Sequence, residues 1–177
     1  MSPEERVHGS NRILTHLLEW HSFVEARCVL LYAPFVNEPD LLSLLEMKFE
    51  KSKIFCFPRV HGNELRVHQV QQIGQLIRSE NRIREPDPHQ CRELALEAID
   101  LAIIPGLAFS ELSGIRLGRG AGYYDRMLSE DRFHALATGV CFENQLQTAL
   151  PTETHDMPMQ VILTPQGVIE LPSFRSL

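Results

Sequence analysis

What the chain lacks narrows its chemistry first. No run of apolar residues approaches the ~18 that a membrane-spanning helix needs, and the opening residues hold no apolar signal region, so a cytoplasmic location without a membrane partner is expected. The four cysteines, Cys28, Cys56, Cys91 and Cys141, stand far apart and form no C-x-x-C pair. Cys28, Cys56 and Cys141 lie in apolar, strand-like runs, where free cysteine behaves as a small buried hydrophobe and points to a reducing compartment. The eight histidines, His8, His16, His21, His61, His68, His89, His134 and His155, show no H-E-x-x-H pattern and no Cys/His clustering, so solvated or structural roles are expected. There is no G-x-S-x-G elbow, no G-K-[ST] ending of a Walker loop and no G-x-G-x-x-G fingerprint. Positive charge is also short: the net charge is -6, which argues against nucleic acid, whose phosphates call for clustered Lys and Arg. An internal repeat, a low-complexity tract and a linker are all missing, so residues 1–177 read as one domain, large enough to bury roughly two-thirds of its unfolded surface.

What is present is concentrated in residues 100–127, DLAIIPGLAFSELSGIRLGRGAGYYDRM. A buried strand breaks at Pro105-Gly106. A loop follows with alternate glycines at Gly118, Gly120 and Gly122, arginines at Arg116, Arg119 and Arg126, and then Tyr123, Tyr124 and Asp125. Between residues 113 and 126 three arginines against one aspartate leave +2, a basic loop on an acidic protein. Glycines let a backbone approach a ligand with its N–H groups exposed, and arginines neutralise phosphate, so an anionic small ligand is indicated. The opposing reading is a purely structural turn.

The rest of the chain alternates helices and strands. From Ser10 as N-cap, Ile13, Leu14, Leu17 and Leu18 share a helical face after a frayed, polar start. Residues 28–35 and 53–60 read as buried strands, with a second helix at 41–49 between them. His61-Gly62-Asn63 turns the chain into a strand over 64–70. Residues 71–90 hold Arg82, Arg84, Glu85, Pro86 and Pro88 and read as a loop. A short helix over 91–98 leads to a strand over 99–104. Beyond the glycine loop come a helix at 123–128, a strand at 135–142, a helix at 143–149, a polar loop at 151–158 and a terminal hairpin, 161–163 with 168–171. The pattern specifies an α/β domain, mostly parallel and covered on both faces. A strand ending in Pro-Gly delivers its loop to the carboxyl edge of such a sheet, where ligands bind, and the next helix offers an N-terminus to an anion.

Asp125 and Asp156 form the best pair of carboxylates for a cation, since magnesium takes oxygen ligands from one or two carboxylates, phosphates and water. The bland alternatives are a helix-start charge for Asp125 and a surface loop for Asp156. Tyr123 and Tyr124 could stack on a ring or pack on the sheet, and Trp20 reads as core or interface.

These residues resemble a known family. Pro105-Gly106-Leu107-Ala108-Phe109 and residues 114–126 (GIRLGRGAGYYDR) are similar to the central signature of the 5-formyltetrahydrofolate cyclo-ligases, P-G-x-A-F-D-x-x-G-x-R-L-G-x-G-x-G-Y-Y-D-R. Gln145, Pro151, Glu153, His155 and Asp156 follow in the family's order, and upstream Phe57-Pro58-Arg59 and Arg84-Glu85-Pro86 resemble two further segments. The resemblance implies a three-layer α/β/α fold and the ATP- and Mg2+-dependent cyclisation of 5-formyltetrahydrofolate to 5,10-methenyltetrahydrofolate, with ADP and phosphate released. It assigns ATP contacts to Arg116, Leu117, Gly118, Arg119, Gly120, Ala121, Gly122, Tyr123 and Tyr124. It assigns folate contacts to Glu38, Arg119, Gly120, Ala121, Gly122 and Tyr123, magnesium to Asp125 and Asp156, and the catalytic role to Arg119 and Tyr123. A monomer is expected.

Three departures stand beside the match. Ser2-Pro3-Glu4-Glu5-Arg6 is similar to the segment after the family's basic first helix, so that helix is expected to be absent. Losing two charge-assisted contacts of about 1.5–3 kcal/mol each implies a hundredfold or greater fall in nucleotide affinity. Ser110 replaces the aspartate of A-F-D, and either Asn37 or Glu38 stands at the substrate-side acidic position, with Glu38 preferred because it keeps the carboxylate. The alternative function is a family member that binds folate or nucleotide without turnover.

Overall fold

A computed structural model describes residues 1–79 and 83–171 of the chain. In chain order, helices α1 (Pro3–Glu19) and α2 (His21–Glu25) precede strand β1 (Cys28–Leu30). After a 3-10 turn at Leu42–Glu46 come β2 (Ile54–His61), β3 (Glu64–Gln69), β4 (Leu76–Arg78), β5 (Arg84–Pro86), β6 (Glu93–Leu94) and β7 (Leu101–Pro105). The glycine loop supplies β8 (Ala108–Ser110) and β9 (Arg116–Leu117), and helix α3 (Tyr123–Leu128) follows. The chain ends with β10 (Leu136–Val140), β11 (Leu146–Gln147), β12 (Val161–Thr164) and β13 (Gly167–Glu170).

The main sheet runs β13-β12-β10-β7-β1-β2-β3-β6. Its five central strands are parallel, and antiparallel strands flank them: β13 on one side, β3 and β6 on the other. Residues along β1, β7, β10 and β12 are buried almost without interruption, as parallel strands covered on both faces require, and in β2 the buried residues are Phe55, Cys56 and Phe57. Alternate residues serve opposite cores. Val29, Leu31, Phe55, Phe57, Leu101 and Ile103 pack under Ile13, Leu14 and Leu17 of α1 and Phe23 of α2. Cys28, Leu30, Cys56, Ala102 and Ile104 share the other core with Met127 and Leu128 of α3. Each fully buried large side chain contributes about 1.5–3 kcal/mol, so the two cores account for most of the driving force. The α/β architecture is the one the sequence implies, and Cys28, Cys56, Cys91 and Cys141 are all free and buried. Among the described residues, no helix is long and apolar enough to cross a membrane.

Several local expectations are corrected. The first helix begins at Pro3 rather than after Ser10. Ser2 is its N-cap in a reciprocal capping box with Glu5, with Pro3 in the first turn. Ser10 is buried inside that helix, where its hydroxyl accepts the Asp40 N–H at 3.0 Å and ties α1 to the segment after β1. The helix expected over 41–49 is the single 3-10 turn, in which Leu41, Leu42 and Leu44 still reach the core. Residues 91–98 add β6 to the free edge of β3, then make a 3-10 turn at Leu96–Ala98, because the open ladder competes with helix formation. The helix expected over 143–149 is a 3-10 turn at Glu143–Gln145 followed by β11, which pairs with β8. The loop expected over 71–90 contains β4 and β5; its Arg82 lies outside the described residues.

Strand order reverses at β1: the chain moves outward through β2 and β3, then returns to place β7 on the opposite side of β1. Open α/β sheets bind ligands in the crevice outside the carboxyl ends of strands at such a switch point. Here that crevice lies between the segment after β1, residues 31–38, and the glycine loop after β7.

Candidate active site

The glycine loop is built as a small hairpin before it is a ligand loop. Ala108 pairs with Leu117 and Phe109 with Arg116, while Phe109 itself is fully buried. Gly106 passes so close beneath this hairpin that a Cβ there would lie 2.8 Å from the Arg116 Cγ and 2.9 Å from the Phe109 ring. Gly114 turns the loop at φ +74, and a Cβ on it would fall 2.3 Å from the Met159 carbonyl oxygen. Gln145 braces the first bend: its Nε2 donates to the Gly106 carbonyl at 2.9 Å while its Oε1 accepts the Phe142 N–H. Ser110, which stands where the family has aspartate, is fully buried. Its hydroxyl donates to the Thr148 carbonyl at 3.1 Å and accepts the Ser113 N–H at 3.1 Å. A carboxylate could accept the second bond and could not donate the first, so the hydroxyl of Ser110 closes a turn that a carboxylate would leave half bonded.

The arginines of the loop differ in their settings. Arg116 is buried, and its Nη2 pairs with Asp125 Oδ2 at 2.9 Å, with side chains only 5% and 14% exposed. Its guanidinium lies 5.4 Å from the Tyr124 ring centroid, and a Cβ on Gly118 would come within 2.7 Å of its Nη1. Its Nε is buried without a hydrogen-bond partner. Arg119 is half exposed and reaches across the switch-point crevice to Glu38 Oε1 at 3.2 Å. Its guanidinium also stacks 4.1 Å from the Phe35 ring centroid. Glu38 is buried and its Oε2 accepts the Phe35 N–H at 2.9 Å, whereas Asn37 is exposed. Of the two candidates for the acidic position, Glu38 is therefore the one joined to the loop. Arg126 turns outward to the Asn63 carbonyl at 2.8 Å and lies 5.1 Å from the Tyr123 ring centroid.

The two tyrosines separate. Tyr123 points its hydroxyl to the Gly62 carbonyl at 3.4 Å, against the β2–β3 turn. Tyr124 packs inward, where desolvation pushes its phenol pKa up, Arg116 draws it down and Glu38 raises it. Tyr32, at the start of the crevice, is also raised, by burial first and then by Glu38 and Tyr124. Neither phenol is poised to lose a proton at neutral pH.

The carboxylates expected to hold magnesium sit on neighbouring segments. Asp125 Oδ1 accepts the Met157 N–H at 3.4 Å, so the residue after Asp156 touches Asp125 directly. The Asp156 carboxylate folds back onto the Glu153 N–H at 2.7 Å. Among the described residues there is no cluster of three or more His, Cys, Asp or Glu arranged as a metal cage. A set of two carboxylates still suits magnesium, which completes its shell with phosphate oxygens and water. Further along the edge, the two upstream segments meet: Arg59 donates to the Pro86 carbonyl at 2.8 Å and approaches buried Glu85 at 3.7 Å.

Fold and site together define an α/β protein with an arginine-bearing glycine loop over a topological switch point, where open α/β sheets bind ligands. Comparison with known proteins makes this specific. The 5-formyltetrahydrofolate cyclo-ligase family profile matches residues 1–165, and the chain belongs to that family, an enzyme family of ligases. It is 30% identical over 175 residues to 5-formyltetrahydrofolate cyclo-ligase of Escherichia coli K12, covering 96% of this chain and 95% of that protein. It is 31% identical over 154 residues to the Mycolicibacterium smegmatis protein of the same name, covering 84% and 79% respectively. The solved structure of Aquifex aeolicus 5,10-methenyltetrahydrofolate synthetase superposes with a TM-score of 0.85 at 34% identity, over all of this chain and 88% of that one.

Of the residues singled out in the sequence, the structure joins Glu38 to Arg119 and Arg116 to Asp125, and sets Met157, the neighbour of Asp156, against Asp125. No motif marks Phe35, whose ring lies against the Arg119 guanidinium.

Proposed function

We propose that the chain uses ATP and magnesium to convert 5-formyltetrahydrofolate into 5,10-methenyltetrahydrofolate. The observation that carries this reading is the meeting of Glu38 and Arg119 across the crevice, which places an acidic group and a basic glycine loop at one mouth. Family membership supplies the reaction. The formyl oxygen is a poor leaving group. Transfer of the γ-phosphoryl group to it releases ADP and converts it to a phosphate ester; attack of the folate side-chain nitrogen on the formyl carbon then closes the ring and expels phosphate. Such a transfer gains most from positioning and charge neutralisation.

In this reading the N–H groups from Leu117 to Tyr124 and the Arg119 guanidinium grip phosphate, with Gly118, Gly120, Ala121 and Gly122 keeping the backbone open to it. Arg119, Gly120, Ala121, Gly122 and Tyr123 also face the formyl-folate. Glu38 accepts hydrogen bonds from the folate. Asp125 and Asp156 are the residues that would hold magnesium, which would supply positive charge beside phosphate when bound. Arg116, paired with Asp125 from beneath, fixes the carboxylate and adds buried positive charge under the loop. Arg119 and Tyr123 are the side chains assigned to the reacting groups.

The test is calorimetric titration with ATP and with 5-formyltetrahydrofolate, alongside a turnover assay. Binding of both ligands with product formation supports the proposal. Binding without product leaves only a ligand-binding family member, and binding of neither sinks both readings.

A further inference from the structure

Arg119 is one of the proposed ligand-contacting side chains, set on an open stretch of the glycine loop. It stands between Gly118 and Gly120, the latter at φ +87 in open space, and its side chain is 48% exposed. A long side chain on such a backbone loses much conformational entropy when it is fixed on a ligand. Among the described residues two contacts hold it, one from Phe35 and one from Glu38, both in the segment after β1. The Phe35 ring supports the guanidinium at 4.1 Å. The Phe35 N–H also donates to Glu38 Oε2 at 2.9 Å, setting the carboxylate whose other oxygen accepts Arg119 Nη2 at 3.2 Å. Phe35 belongs to neither core and is 40% exposed, with its ring set against the Arg119 guanidinium.

We infer that Phe35 is a positioning residue for Arg119. Its ring holds the guanidinium over the crevice before ligand arrives, leaving most of its five donors free. This inference rests on the proposed cyclo-ligase reading, and it concerns a side chain outside the glycine loop and both carboxylates.

A double-mutant cycle tests it. Phe35→Ala raises the KM for whichever ligand Arg119→Ala affects, by about fivefold, the value of an exposed cation–π contact. kcat stays within about twofold and the thermal midpoint is unchanged. Phe35→Tyr restores the KM to within about twofold of the unmutated enzyme, while Phe35→Leu behaves as Phe35→Ala. In the Arg119→Ala background, Phe35→Ala adds nothing. Equal effects in both backgrounds, or a Phe35→Leu enzyme indistinguishable from the unmutated one, would overturn the inference. Absence of turnover by the unmutated protein overturns the cyclo-ligase reading separately. The cycle is then read in the Kd for 5-formyltetrahydrofolate, and an unmutated protein that binds neither that folate nor ATP overturns both.

Discussion

Asp125 shows how one side chain can hold two duties. A free carboxylate at the start of a helix would be replaceable with little effect on folding. Here it neutralises buried Arg116, whose Nε already lacks a partner. Asp125→Ala would leave that guanidinium buried and unpaired, at a cost of about 3 kcal/mol. In a protein of this size that lowers Tm by about 6–12 °C. Asp125→Asn keeps shape and one hydrogen bond, so it is expected to melt within a few degrees of the unmutated protein while losing magnesium-dependent turnover by more than about a hundredfold. Thermal scans and turnover assays of the two variants separate the structural from the chemical duty. Gly114 is more strictly constrained. Alanine there meets both φ +74 and the fixed Met159 carbonyl, so Gly114→Ala is expected to destabilise by at least about 1–2 kcal/mol and to melt several degrees lower. At this scale residue type singles out the loop, Glu38, Asp125 and Asp156 in the sequence, and the structure joins Glu38 to the loop and brings the neighbour of Asp156 to Asp125. The pairing of Arg116 with Asp125 is not legible there, because nothing in the spacing of residues 116 and 125 tells whether the arginine of β9 faces solvent or helix α3.

Among the elements, strands were more legible than helices. The five central parallel strands all overlap segments read as strands, and Tyr123–Leu128 forms the helix expected of it. Helical expectations over 41–49, 91–98 and 143–149 became 3-10 turns or edge strands, since a short apolar cluster satisfies any of these and the winner depends on which ladder edge lies free. The true start of α1 was written in Ser2, Pro3 and Glu5, a capping box that a polar stretch conceals. Ser2→Ala is accordingly expected to lower Tm by about 2–4 °C with turnover unaffected, and Ser2→Asp to retain the unmutated midpoint.

For the molecule as a whole, the net charge of -6 and the +2 of residues 113–126 oppose each other, so the proposed ligand loop is a basic patch on an acidic protein. The antiparallel edge carries a buried histidine, His68, whose Nδ1 has no partner. Burial lowers its pKa, offset in part by Glu93 and by the hydrogen bond at Arg66, with Arg59 and Arg66 adding to the lowering. The folded state therefore binds this proton less readily than the unfolded chain. Stability from His68 is full above the ordinary histidine value near ~6.5 and falls as pH drops through the lowered value. Denaturant midpoints measured from pH 7.5 to 5 should decline more steeply for the unmutated protein than for His68→Leu. Parallel slopes would remove His68 from the acid response. The strand reversal at β1 ties these scales together, because it brings residues 35–38 beside residues 116–125, more than seventy positions later.

The central claim is that this loop and crevice perform an ATP-driven cyclisation. The most direct measurement follows methenyl product by absorbance and ADP by a coupled assay, from the same reaction of purified, folded protein with 5-formyltetrahydrofolate, ATP and magnesium. The account predicts product and ADP rising together in equal amounts, and neither forming when ATP or magnesium is withheld. Product formed without ADP, or no product from folded protein with all three present, would contradict it.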